Sequence, residues 1–135
     1  MSDETIWRYE SADGGHKAQL VDLGGNVFRC VTVGRAAEEG VQQFYDFLVE
    51  LARQRGRPLR ILADNRQAER VEPGARRIAA RFVVGGYPLE RIAAWGDNFF
   101  MRAFFNLYAV VAQVPVKSFT SEPEAIAWLR EEGGA

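Results

Sequence analysis

The last two-thirds of the chain alternates short apolar runs of strand length with longer segments of helical spacing, and this alternation restricts the fold more than any other feature. PLRILAD (58–64), RIAAW (91–95) and VKSF (116–119) are the short runs. EPGARRIAARFVVGG (72–86), NFFMRAFFNLYAVVAQ (98–113) and SEPEAIAWLREE (121–132) are the longer segments. Strand and helix in regular succession, with short connections, give parallel strands covered by their own crossover helices, so the reading is an α/β layer with a largely parallel core. The segment before them, EEGVQQFYDFLVELARQRG (38–56), places Val41, Phe44, Tyr45, Leu48, Leu51 and Ala52 on one side at helical spacing. Glu38 and Glu39 suit the positive end of that helix and Arg53 and Arg55 the negative end, and Gly56 is a natural stop. Pro73 suits a first helical turn, and Ser121 can cap a last helix that Gly133 and Gly134 end.

The first third has a different grammar. TIWRYES, KAQLVD and NVFRCVTVG are separated by DGG at Asp13 to Gly15 and GGN at Gly24 to Asn26, breaks that supply the positive φ angles of tight hairpins. They read as an antiparallel meander. The expectation is a single α/β domain over residues 1–135: a mixed sheet with an N-terminal antiparallel meander and about four helices. A chain of 135 residues buries enough surface for one core, and its 47% hydrophobic and 26% charged residues match ordinary globular proteins.

Composition also removes function classes. Seventeen basic against eighteen acidic residues leave no broad positive field for nucleic acid. Cys30 is a lone cysteine in a strand-like run, read as a small buried hydrophobe, and it can build neither a disulfide nor a thiolate metal site. The acidic start MSDETIWRYE lacks the basic and apolar regions of a secretory signal, so a cytoplasmic location is expected. The most apolar helix is interrupted by Arg102 and Asn106 and falls short of the ~20 residues that span a bilayer, so no transmembrane segment is expected.

The ending VPVKSFTSEPEAIAWLR resembles the strand, Phe-Thr, acidic helix start and Trp-Leu close of the STAS-like family, the fold of anti-sigma factor antagonists and of sulfate-transporter cytoplasmic domains. ILAD, followed eight residues after Asp64 by EPGA, is similar to the strand, loop and helix that hold the regulatory serine in that family. The resemblance implies a four- to six-stranded sheet with packed helices, no catalysis, and action by docking to a partner protein or a small apolar ligand. At the phosphorylated turn this chain departs from the pattern: Glu72, Pro73, Gly74 and Ala75 offer no hydroxyl. It reads as a divergent branch without the phosphorylation switch.

No catalytic constellation is visible. His16 follows a glycine turn and reads as an exposed turn residue, and the nucleophile-elbow, zincin, dinucleotide and P-loop patterns are absent. No cofactor and no metal are assigned. Asp64, Glu69 and Glu72 sit in the segment DNRQAERVEPGARR, read as a loop, where arginines make a solvated mesh of ion pairs the ordinary reading. From Arg66 to Arg81 there are five arginines against two glutamates, around a helix start whose backbone amides already favour anions. Asp64, Asn65, Arg66, Arg70, Arg76 and Arg77 are therefore the candidate surface for an acidic partner or phosphate.

NFFMRAFFNLYAVVAQ carries more apolar surface than one stripe. Placed on a helical wheel, Asn98, Arg102, Asn106 and Gln113 form a narrow polar stripe, with Phe100, Phe104, Leu107 and Val111 opposite it and facing the sheet. Phe99 and Val110 occupy one flank, and Met101, Phe105 and Tyr108 the other. Neighbouring helices, with Trp128 and Leu129 available, a second subunit, or a bound apolar molecule or membrane surface can cover these flanks. Met101, Phe105 and Tyr108 are the candidate apolar interaction surface. The functional expectation is a non-catalytic regulatory or binding module that docks to a protein partner, with a homodimer as one form. The alternatives are a carrier or sensor of a small apolar ligand or a peripheral membrane protein, with an enzyme last.

Overall fold

Three strands open the chain, β1 (Glu4–Glu10), β2 (His16–Asp22) and β3 (Val27–Ala36), and they turn at the two glycine-rich breaks. At the second break Gly24, Gly25 and Asn26 all take positive φ, of 84°, 64° and 67°, a region that glycine and asparagine visit at the least steric cost. The strands pair antiparallel, with Leu20 opposite Cys30 and His16 opposite Gly34. The chain then crosses through α1 (Glu38–Arg55) to β4 (Leu59–Val71), through α2 (Pro73–Gly85) to β5 (Leu89–Trp95) and through α3 (Phe99–Val111) to β6 (Val116–Phe119). It closes with α4 (Glu122–Leu129). Strands β3 to β6 run parallel in one six-stranded sheet whose order follows the sequence, the mixed α/β architecture expected. The computed structural model describes residues 3–85 and 87–132, so Gly133 and Gly134 lie outside the described residues. α4 stops at Leu129 with Arg130 as its C-cap.

Two apolar layers hold the sheet. Leu48 and Leu51 of α1, Ile78 and Ala79 of α2, and Met101, Phe105 and Tyr108 of α3 pack with Phe28, Ile61, Ile92 and Ala94. Ala125 and Leu129 of α4 pack with Val27, Leu62 and Ala93. Adjacent residues on a strand face opposite ways, so the two clusters lie on opposite faces of the sheet. Burial on both faces accounts for the unbroken apolar runs of β4 and β5. Two arginines fasten the C-terminal end of α4. Arg91 donates to Trp128 O at 2.8 Å, and Arg60 to Leu129 O at 2.6 Å and Glu131 O at 2.8 Å, which satisfies carbonyls that a helix end leaves unpaired. Trp128 and Leu129 are thus held on the face away from α3 and do not cover its flanks.

β4 continues well past Asp64, where the sequence reads as a loop. β5 accompanies it only to the pair Asp64–Trp95. Beyond that point β4 pairs, among the described residues, with β3 alone, through Gln67, Ala68, Arg70 and Val71, with two register shifts. A strand with one neighbour and one open edge tolerates polar side chains, which is why DNRQAERV lacks the apolar signature of a buried strand.

Candidate functional site

The six residues singled out as a partner-binding loop are distributed by the pleat of β4 and the turn into α2. Asp64 faces the α4 side and is buried, and Arg66 wraps it: Nη2 reaches Oδ2 at 2.8 Å and Nε reaches Oδ1 at 3.0 Å. Burial pushes the Asp64 carboxyl up, but the Arg66 hydrogen bonds outweigh it and hold the group below its ordinary value. The Arg66 guanidinium also lies 4.6 Å from the centre of the Trp95 ring. This closed pair offers no free carboxylate. Asn65 points the opposite way, buried on the helix side, and donates to Asp97 Oδ1 at 2.7 Å. Burial raises the Asp97 pKa, with the Asn65 hydrogen bond and the charge of Arg102 acting against it.

Arg70 and Arg76 stay exposed, and the structure brings them to one place: the rim of a groove of about 760 Å³ between the start of α2 and α3. Among the described residues neither has an ion-pair partner, so the expected mesh of ion pairs does not engage them. Arg77 is exposed on α2 but does not line the groove. Glu72 lines it and lies 4.0 Å from Arg35.

The other wall of the groove is α3, and its orientation differs from the one read in the sequence. Met101, Phe105 and Tyr108, expected as an interaction surface, point into the core and are 3%, 8% and 5% exposed. They are closed off by this chain's own sheet and helices, so they form no docking face. Phe100, Leu107 and Val111, expected to face the sheet, are exposed, as are Phe99 and Val110 at 77% and 81%, while Phe104 is half-buried. The helix is turned by about one residue step, roughly 100°, from the phase expected.

Asn98 is the physical cause of that turn. Its Oδ1 accepts from Met101 N at 2.8 Å as the N-cap, and its Nδ2 donates to Ala68 O at 2.8 Å and Glu69 O at 3.1 Å on the open edge of β4. An asparagine that caps a helix and clamps a strand edge does not mark the solvent side. Asparagine immediately before an apolar run was the available signal for this role.

Behind α3 lies a partly open cavity of about 110 Å³ between the sheet and the three helices, walled by Tyr108, Met101, Phe104, Tyr45, Cys30 and Asn65 among others. Phe104 and Val71 line both this cavity and the outer groove. Cys30 is buried as expected, and burial pushes its thiol up to about 12, far from a reactive thiolate. His16 also lines the cavity and is 3% exposed, which corrects its reading as an exposed turn residue. Its Nδ1 accepts the N–H of Ala37 at 3.1 Å, and burial lowers its pKa against the opposing charge of Glu72, so the ring is neutral. The first turn of α1 covers it at Gly40, where an added Cβ would lie 2.5 Å from the imidazole. Sequence alone places His16 after a turn and cannot show a helix lying across it.

No cluster of three or more potential metal ligands forms among the described residues. No helix among them is long and apolar enough to cross a membrane.

The family model described as SpoIIAA-like matches residues 27–130. A solved structure of an uncharacterized protein of the DUF3478 family from Shewanella loihica PV-4, described as having a SpoIIAA-like fold, is similar at a TM-score of 0.63 and 15% identity. The match covers 96% of each chain. No curated protein matches the sequence.

Proposed function

Because the chain belongs to the SpoIIAA-like family, as the STAS-like resemblance implied, we propose that it is a non-catalytic regulatory module that docks to a partner protein through the groove between α2 and α3. One observation carries this reading: five of the seven large hydrophobic side chains exposed among the described residues lie on α3, and arginines rim the groove beside them. Exposed apolar side chains gathered on one element mark an interaction surface more often than scattered ones do.

Charge chooses the occupant. The only charged residue of α3 is Arg102, and Arg70 and Arg76 stand across the groove. A second copy seated by the same face would bring arginine against arginine, a repulsion that specific interfaces avoid. An amphipathic helix with an apolar stripe flanked by Asp or Glu would lay the stripe on Phe100, Phe104 and Leu107 and pair its acids with the two arginines. The departure at Glu72 to Ala75 leaves this docking without a phosphorylated switch.

The test uses a designed amphipathic peptide in acidic and basic forms, Glu or Lys flanking the same leucine stripe. The acidic form should bind saturably and the basic form at least about tenfold more weakly. Arg70→Glu with Arg76→Glu should invert that preference, and Leu107→Glu should weaken both. Equal binding of the two forms, firmer binding to anionic vesicles than to the peptide, or a wild-type dimer that Leu107→Glu dissociates would overturn the docking reading.

A second reading, carriage of a small apolar molecule, is favoured by a separate observation: the largely apolar cavity behind Phe104.

A further inference from the structure

The cavity behind α3 is specific in its chemistry. Its volume of about 110 Å³ is on the scale of one small ring, since apolar cavities near ~150 Å³ accept benzene. Among the described residues no Asp, Glu, Lys or Arg lines it. A carboxylate or ammonium placed inside it would lose its hydration without a counter-charge, so the part of an occupant that fills it is neutral.

Three of the polar side chains that reach it are already engaged. Asn65 donates to Asp97 at 2.7 Å, His16 Nδ1 accepts from Ala37 N at 3.1 Å, and the Cys30 sulfur lies 3.9 Å from Thr32 Oγ1. Tyr108 is different: its hydroxyl is buried and has no hydrogen-bond partner among the described residues. A buried hydroxyl without a partner costs free energy that a well-placed acceptor recovers. Burial keeps the phenol protonated by pushing its pKa up, so it stands as a donor.

We propose that this cavity is a binding site for a small neutral molecule, one ring in size, that presents a hydrogen-bond acceptor to the Tyr108 hydroxyl. The proposal rests on the second reading above and adds the chemical class of the ligand. It takes a different ligand from the groove, with which the cavity shares only Phe104 and Val71 as lining residues.

Two probes of the same shape and the size of one bare ring test it: pyridine, whose ring nitrogen is an acceptor and is unprotonated at pH 8, and benzene, which carries no such acceptor. Binding is read from the Met101 methyl signal in protein labelled at methionine methyl carbons. Tyr108→Phe should weaken pyridine by about tenfold and leave benzene within about twofold, the signature of one neutral hydrogen bond. Ala79→Leu, which narrows the cavity, should abolish the binding of both. If both probes bind and Tyr108→Phe affects them equally, the acceptor is overturned while the apolar-ligand reading stands. If neither shifts the Met101 signal at its solubility limit, both are overturned. Binding that survives Ala79→Leu would place the site elsewhere and overturn the assignment to this cavity.

Discussion

α1 and α3 do the same structural work and dress it differently. Each packs on the same face of the sheet, α1 through Tyr45, Leu48, Leu51 and Ala52 and α3 through Met101, Phe105 and Tyr108. Toward solvent they part. The outer face of α1 is stitched with polar contacts, Gln42 to Asp46 at 2.9 Å, Gln43 to Glu39 at 3.3 Å and Arg53 to Glu50. α3 shows water Phe99, Phe100, Leu107, Val110 and Val111. α1 demonstrates that covering this sheet requires one apolar stripe. The second stripe of α3 therefore lies outside what folding demands, and it is the surface on which the docking proposal stands.

The sharpest way to break this comparison is to truncate the two sides of α3 in turn. Phe105→Ala removes a ring from the core and should cost about 3–5 kcal/mol, because the lost contacts add to a cavity already present. Phe100→Ala removes an exposed ring and should change stability by no more than about 0.5 kcal/mol. Urea unfolding of both variants reads the difference. Equal losses would mean that the outer stripe is part of the core and that the two helices do not differ.

The two helices also start differently, and here pH separates them. α3 is capped by its own Asn98, whereas Ala37 at the start of α1 makes no side-chain cap bond and donates its N–H to His16 of β2. Burial lowers the His16 pKa in the folded protein below the ordinary value of 6.5. The unfolded chain therefore takes up the proton first as pH falls. This contribution to stability is complete above about pH 6.5 and is lost on acidification below it. His16→Gln, which keeps an acceptor for Ala37 but does not titrate, should cost on the order of 1 kcal/mol at pH 7 and flatten the stability profile between pH 7 and 5. A wild-type profile as flat as the variant's would show that His16 does not couple the start of α1 to pH.

How much of this was legible in the sequence depended on how many constraints converged on one residue. Element order was legible because hydrophobic period and end signals agree: Gly56 closes α1, Pro73 opens α2, and Ser121 accepts from Glu124 N to cap α4. The rotation of α3 was not, because a helix with apolar residues on two sides has no single polar face to fix its phase, and Asn98 is polar for a reason internal to the fold. The candidate site was legible in part. Arg70 and Arg76 do reach a common surface, but Asp64 and Arg66 turn to one face of β4 and Asn65 to the other, a separation that follows from a strand where a loop was read. The extension of β4 escaped because pairing with β3 alone needs no apolar pattern.

The smallest effect is the most direct test of what the outer stripe is for. Val110 lies in the last turn of α3, 81% exposed, and Lys in its place would give that position the polarity of α1. A β-branched side chain loses rotamer freedom in a helix that a straight one keeps, and a positive charge near the C-terminus suits the helix dipole. Val110→Lys should therefore raise stability by a few tenths of a kcal/mol, read as a slightly higher urea midpoint with an unchanged slope. If the stripe existed to hold the fold, the same substitution would lower the midpoint by an amount comparable to a core truncation. A gain in stability would instead show that Val110 is dispensable to the fold, as its 81% exposure implies.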